Sequence, residues 1–234
     1  MAEKMAYWGG PWWWGSTGDT AVLSGDRLVL RCTADKYETV LGNGTASQGL
    51  AVIDVASGTL SGVVGLAYEE VSSVNGAADG VYVTTRSQVG NDTSGRALCA
   101  YYLQKFNPLT LSMGTPANVP GVFLQRDLAT GVILLEDNQW DDSWNYSRKL
   151  NTLSWDGGDG LVTFLATLDA PANAGTFKAR GAGVYYSFWD TNYGVGMIRI
   201  GADGALVKGA AVAVTDGWLD VTEAHDGIAY LTVG

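Results

Sequence analysis

The chain has 234 residues, 47% hydrophobic and 16% charged, with a formal net charge of −10. Length and apolar share allow a sizeable core and exclude intrinsic disorder, and the acidic balance disfavours nucleic acid and anionic membrane surfaces as partners. The 32 glycines against 5 prolines point to many tight turns between strands. No apolar run approaches the roughly 18 residues needed to span a bilayer. Met1 to Gly15 also lacks the basic start and continuous apolar core of a secretory signal.

The chain opens on Ala6-Tyr7-Trp8-Gly9-Gly10-Pro11-Trp12-Trp13-Trp14-Gly15, where four of the nine Trp fall within seven residues. Such rings either fill gaps between twisted sheets or offer a stacking platform to a sugar or a partner. Beyond it, a glycine-led turn opening a strand recurs as Gly25-Asp26-Arg27-Leu28-Val29-Leu30, Asp79-Gly80-Val81-Tyr82-Val83-Thr84-Thr85 and Thr130-Gly131-Val132-Ile133-Leu134-Leu135. It returns again as Gly183-Val184-Tyr185-Tyr186-Ser187 and Asp226-Gly227-Ile228-Ala229-Tyr230-Leu231. The interval is about 45 to 55 residues, the repeat length of a propeller blade.

A hairpin follows each of the first four. Leu50 to Val55 turns into Thr59 to Val64, and Ala100 to Phe106 turns through Asn107-Pro108 into Leu109-Thr110-Leu111. Leu150 to Trp155 turns into Leu161 to Phe164, and Gly196 to Ile200 turns into Ala205 to Val207. Apolar–polar alternation bounded by Gly, Asn, Asp and Pro is the hairpin signal. Inner-strand candidates precede the glycine turns at Thr20–Ser24, Val71–Asn75, Gly121–Gln125, Thr176–Arg180 and Leu219–Thr222. No stretch shows capped helical periodicity.

These elements predict an all-β fold, a β-propeller of four-stranded antiparallel blades, with about four and a half to five blades in this chain. The blades fall at about 19–66, 68–117, 120–169 and 175–214, with a half blade at 217–234, after a Trp/Gly-rich N-terminal segment 1–18. A half blade leaves an unpaired edge, which folded proteins avoid. Either the segment 1–18 closes a five-bladed ring, or the blades belong to a longer propeller.

The strings Leu50-Ala51-Val52-Ile53-Asp54-Val55, Gly80-Val81-Tyr82-Val83-Thr84-Thr85-Arg86 and Gly217-Trp218-Leu219-Asp220-Val221 resemble blades of secreted bacterial β-propeller repeat proteins, from about residue 19 to the end. The resemblance implies an extracellular or cell-surface scaffold that binds a protein or polymer, and it brings no catalytic motif. Trp155-Asp156 and Trp189-Asp190 fall at different places in their repeats, so the WD40 pattern is not met.

Length variation concentrates between second and third strands, in Ala34–Gly49, Gln88–Gly95, Asp137–Arg148 and Trp189–Gly194, where repeat proteins carry binding. The third loop holds Trp140, Asp141, Asp142, Trp144 and Tyr146, and the fourth echoes it with Trp189, Asp190 and Tyr193. Indoles stack on the C–H face of a sugar while carboxylates and amides bond its hydroxyls. The alternative is a self-packed loop. Asp137, Asp141 and Asp142 offer hard oxygen ligands to Ca²⁺, although no complete calcium-loop motif is present. Paired carboxylates also raise glycoside hydrolysis. The single His, His225, cannot make a usual zinc site alone, and there is neither a phosphate loop nor a nucleophile elbow.

Cys32 and Cys99 sit near one face of successive repeats, compatible with an inter-blade disulfide or with two buried thiols. Asn43-Gly44-Thr45, Asn91-Asp92-Thr93 and Asn145-Tyr146-Ser147 match glycosylation acceptors. Three readings of function follow. The first is a non-catalytic binding or scaffold module for a carbohydrate polymer or a protein, without a resident cofactor. The second is a carbohydrate-active enzyme of glycosidase or lyase type. The third is an assembly subunit that completes its open blade with another chain, including self-association.

Overall fold

The computed structural model describes residues 5–6, 21–34, 48–66, 70–77, 79–91, 97–127, 129–140, 146–155, 161–170, 174–180, 183–189, 193–214, 219–225 and 228–233. Every regular element among them is a strand, and every pairing is antiparallel. The chain divides into two compact units, Met1–Phe123 with Asp156–Leu161, and Leu124–Trp155 with Val162–Gly234.

In the first unit, one sheet carries β2 (Ala21–Ser24), β3 (Arg27–Ala34), β4 (Gln48–Asp54) and β5 (Thr59–Leu66) in chain order. The short β1 (Met5–Ala6) joins it by pairing with the far end of β3, Met5 opposite Ala34. The next sheet carries β6 (Glu70–Ala77), β7 (Gly80–Asn91) and β8 (Ala97–Asn107), followed along one edge of β8 by β9 (Ser112–Met113) and β10 (Ala117–Val119). The break between these two falls at Gly114-Thr115-Pro116, where proline has no N–H to give the ladder.

The second unit holds β11 (Val122–Arg126), β12 (Val132–Trp140), β13 (Tyr146–Trp155) and β14 (Val162–Asp169), with the first two residues of β11 counted in the first unit. It also holds β15 (Ala174–Arg180), β16 (Gly183–Trp189), β17 (Tyr193–Ile200) and β18 (Leu206–Val214), then the pair β19 (Leu219–His225) and β20 (Ile228–Val233). The fold is therefore all-β, built from antiparallel sheets of four or five strands and a final strand pair.

The turns follow from residue chemistry. Gly25 takes φ 60° between β2 and β3, a conformation an L side chain rarely adopts. Between β4 and β5, the Ser57 N–H donates to Asp54 Oδ1 at 2.8 Å, the Ser57 hydroxyl donates to the same oxygen, and Arg27 pairs with Oδ2. The Ser57 bonds, backbone first, hold the Asp54 carboxyl below its ordinary value. One predicted strand is corrected. Leu109-Thr110-Leu111 belongs to a turn, because Asn107 Oδ1 accepts the N–H groups of Leu109 and Thr110 and Leu111 lies at φ 57°.

Two apolar layers carry the packing. In the first unit Val29, Leu50 and Val52 meet Val71, Val74, Val81, Val83 and Phe106. In the second, Val132, Leu134 and Leu150 meet Phe177, Val184, Tyr186 and Ile198. Each fully buried side chain of this size contributes roughly 1.5–3 kcal/mol. Polar side chains then pin backbone across the layers. Gln48 Oε1 accepts the N–H of Val71 at 2.8 Å, and Thr152 donates to the carbonyl of Gly204 at 2.6 Å. On the other face of β7, Phe123 stacks on Tyr82 with centroids 4.7 Å apart. Its carbonyl accepts Asn75 Nδ2 at 2.9 Å, and its N–H donates to Thr84 Oγ1 at 3.1 Å.

Candidate functional site

The connection expected as a loop over Asp137–Arg148 is mostly strand. β12 continues to Trp140 and β13 begins at Tyr146, so that Trp140 and Tyr146 are direct cross-strand partners. The hairpin of β16 and β17 ends in the same way, with Trp189 directly opposite Tyr193. Each pair closes the ladder between the second and third strands of its sheet. An aromatic residue therefore occupies both strands at the last rung of each ladder. Asp141, Asp142, Trp144 and Asp190 lie outside the described residues, as does most of the expected loop Ala34–Gly49. The loop expected over Gln88–Gly95 is partly strand, since β7 runs on to Asn91.

Below the first aromatic pair sits a charged cluster that sequence reading missed. Glu136 is fully buried, and its Oε1 accepts Arg148 Nε at 2.8 Å and Arg148 Nη2. Arg148 Nη1 donates to the carbonyls of Ala174 and Gly175 at 2.6 Å each. The guanidinium lies 4.4 Å from the centroid of the Phe177 ring. One planar side chain thus spends its donors on a carboxylate and on the start of β15, with an aromatic face beneath it. A signal was present in the sequence. Val132-Ile133-Leu134-Leu135 runs straight into Glu136, and an ionisable group continuing a buried strand requires a partner.

A groove of about 520 Å³ opens in the first unit, between the β2–β3 turn on one side and Asp79, Gly80 and the β8–β9 turn on the other. Lys105 Nζ lies 3.0 Å from Asp79 Oδ2, and the Tyr82 hydroxyl donates to the same oxygen at 2.8 Å. Tyr82 and Lys105 are cross-strand partners, a relation that only the register reveals. Asp79 and Lys105 are thus bonded to each other, Asp26 on the other side pairs with Arg27, and the remaining lining includes Phe106, Pro108, Leu109 and Met113.

Both cysteines are free thiols, Cys32 buried and Cys99 half-buried. Burial pushes the Cys32 thiol up to about 11. Among the described residues no group of three or more His, Cys, Asp or Glu side chains is placed to share a metal ion, and Asp137 is buried at the upper part of β12. Asp141 and Asp142, the other expected calcium ligands, lie outside those residues. His225 is the last residue of β19. Among the described residues no helix is long and apolar enough to cross a membrane.

No family model matches the chain, and no curated protein matches it in sequence. Solved structures do resemble it. An acylaminoacyl peptidase in complex with Z-Gly-Gly-Phe-chloromethyl ketone superposes with a TM-score of 0.52 at 8% identity, over 87% of this chain and 33% of that one. The uncomplexed acylaminoacyl peptidase of Pyrococcus horikoshii gives 0.52 at 7% identity, with the same two coverages. The chain therefore spans about a third of the length of these peptidases. At such identity the likeness is one of fold alone, and that fold is propeller-like.

Proposed function

We propose that the chain is a β-propeller binding module whose four-stranded sheets are blades, and that it recognises a carbohydrate polymer at the hairpin ends carrying Trp140, Tyr146, Trp189 and Tyr193. The observation that carries this reading is the register, with Trp140 opposite Tyr146 and Trp189 opposite Tyr193 at equivalent ends of successive sheets. Aromatic rings at matching positions of repeated units suit a repetitive ligand with apolar ring faces. Asp141, Asp142, Trp144 and Asp190, in the intervening connections, supply the carboxylates and the further indole for its hydroxyls and rings. On this reading the protein works outside the cell or on its surface, needs no cofactor and turns over no product.

The test is a polysaccharide and glycan array with the intact chain, followed by Trp140→Ala and Trp189→Ala. Selective binding that both substitutions remove, at unchanged thermal stability, is the expected result. Binding to no glycan overturns the reading and turns attention to a protein partner. Loss of stability together with binding would make the rings part of the core.

A further inference from the structure

We infer that the groove between the β2–β3 turn and the β8–β9 turn is a binding site for a short extended peptide carrying a lysine or arginine beside a bulky apolar residue. It lies in the first unit and shares no residue with the Trp140 and Trp189 rungs, so it stands or falls apart from the carbohydrate reading. Its size, about 520 Å³, falls within the range of pockets that take small organic ligands. The two walls differ in charge. On one, the Lys105 ammonium lies 3.0 Å from Asp79 Oδ2 and 5.8 Å from the centroid of the Tyr82 ring. A Cβ at Gly80 would fall 2.8 Å from Lys105 Cε, so glycine there lets the lysine stem lie along the backbone. Carboxylate and ammonium balance on that wall. On the other, Arg27 faces two carboxylates, with Nη1 2.9 Å from Asp26 Oδ2 and also paired with Asp54. One guanidinium against two carboxylates leaves a negative charge, and Asp26, whose side chain is 62% exposed, carries it into the groove lining. The net charge of −10 gives the surrounding field the same sign. The ligand is therefore cationic where it meets Asp26.

The opposite wall supplies the apolar contact. Asn107 Oδ1 accepts the N–H groups of Leu109 and Thr110 and fixes the β8–β9 turn from within. Leu111, at φ 57°, is the one non-glycine residue in the left-handed region among the described residues. Its side chain packs on the core of the first unit, where a Cβ at Gly62 would fall 2.3 Å from Leu111 Cδ1. The turn is thus anchored at both ends, and on it Leu109 stays 69% exposed in the groove lining, with Pro108 and Met113. A single exposed leucine is ordinary on a protein surface. One held in a strained, anchored turn across from an unbalanced carboxylate is a preorganised contact. The two walls also select the form of the ligand. Successive side chains of an extended peptide point in opposite directions, so a basic residue aimed at Asp26 sends its apolar neighbour toward Leu109. Gly25, Gly80 and Gly114 lie in the same lining, which leaves main chain as part of the groove surface facing the peptide's own amides.

The experiment titrates the full, nitrogen-15-labelled chain by nuclear magnetic resonance with a capped leucyl-lysyl-leucine tripeptide. Three further probes are its analogue with glutamine for lysine, its analogue with glycine for both leucines, and n-butylamine. Shift changes should gather at Gly25, Asp26, Gly80, Lys105 and Leu109. Loss of the peptide's charge should weaken binding about fivefold, and loss of its leucines about tenfold or more. These arms leave the protein unaltered. Asp26→Asn should weaken the lysyl peptide about fivefold and leave the glutamine analogue within about twofold of wild type. Leu109→Ser should weaken both about tenfold. Asp203→Asn, at an exposed acid of the second unit, should change neither. Equal binding of the three peptides overturns the inference, as do shift changes away from the groove. So does Asp203→Asn matching the effect of Asp26→Asn, which would reduce the attraction to overall charge. Binding of n-butylamine as tight as that of the tripeptide removes the peptide from the assignment, and binding of no probe ends it.

Discussion

Gln48 reaches out of its own sheet to accept the backbone N–H of Val71 at 2.8 Å, and so holds the start of the next sheet's first strand. Arg148 makes the corresponding contact in the second unit, on the carbonyls of Ala174 and Gly175. The positions match in register as well as in purpose. Gln48 lies two residues before Leu50, which faces Arg31, and Arg148 lies two residues before Leu150, which faces Glu136. A repeat whose strands are joined by short turns still has to fix the angle between one sheet and the next. In both units a polar side chain at the beginning of the third strand does this.

Removing the acceptor at Gln48 should therefore be felt. Gln48→Met keeps the volume and leaves the Val71 N–H without that acceptor, at an expected cost of about 1–3 kcal/mol. Urea unfolding reads this as a lower midpoint at constant slope. An unchanged midpoint would mean that the bond contributes nothing net and that the apolar layer alone sets the junction.

The Glu136–Arg148 pair separates the cost of breaking a buried pair from the cost of lacking one. Arg148→Met alone removes the guanidinium paired with the fully buried Glu136 carboxylate and should cost about 3–5 kcal/mol. Combining it with Glu136→Leu should recover most of that loss, because two apolar side chains of similar volume satisfy the layer of Leu134, Leu150 and Phe177. A double-mutant cycle by chemical denaturation measures the difference. Strict additivity of the two substitutions would show that the residues are not coupled.

The all-β class was legible because the turn chemistry is explicit. Glycine, asparagine or aspartate stands at or directly before the start of about half the strands, and the inner-strand candidates coincide with β2, β6, β11, β15 and β19. The segment Leu109-Thr110-Leu111 misled because its alternation looks like a strand, while the deciding bonds come from Asn107 just outside it. At the site, residue types were readable but register was not. Asp137–Arg148 reads as a polar loop, yet β12 and β13 run on to set Trp140 opposite Tyr146, a register that the residue types of the segment do not announce. Arg148 was invisible as a connector because its partners at Ala174 and Gly175 are 26 and 27 residues away and are backbone carbonyls, which carry no residue signature.

Gly194 sits one residue beyond the Trp189–Tyr193 rung, where the β17 backbone passes close to its neighbours. A Cβ there would fall 2.2 Å from the Phe188 ring and 2.7 Å from the carbonyl oxygen of Val212. The ring can swing away, but the carbonyl belongs to the paired strand β18 and cannot move without breaking the ladder. Gly194→Ala should destabilise by about 1–3 kcal/mol, read by thermal unfolding. Full retention of stability would require the β17–β18 pairing to differ from the register found here.

The two thiols should behave as different chemical species. Cys32 packs beside Ala51 with Leu30 and Val63 around it, and burial raises it from its ordinary value of 9.0 to about 11. A thiol whose pKa is raised by folding favours the native state fully below the ordinary value, and that contribution fades as pH rises through about 11. Because the thiolate is the nucleophile, titration of the native chain with an aromatic disulfide at pH 8 should give one accessible thiol, the half-buried Cys99. The second thiol should appear only with denaturant, and stability measured between pH 9 and 11 should decline more steeply for wild type than for Cys32→Ala. Two thiols reacting at equal rates in the native state would place Cys32 at the surface and contradict its packing.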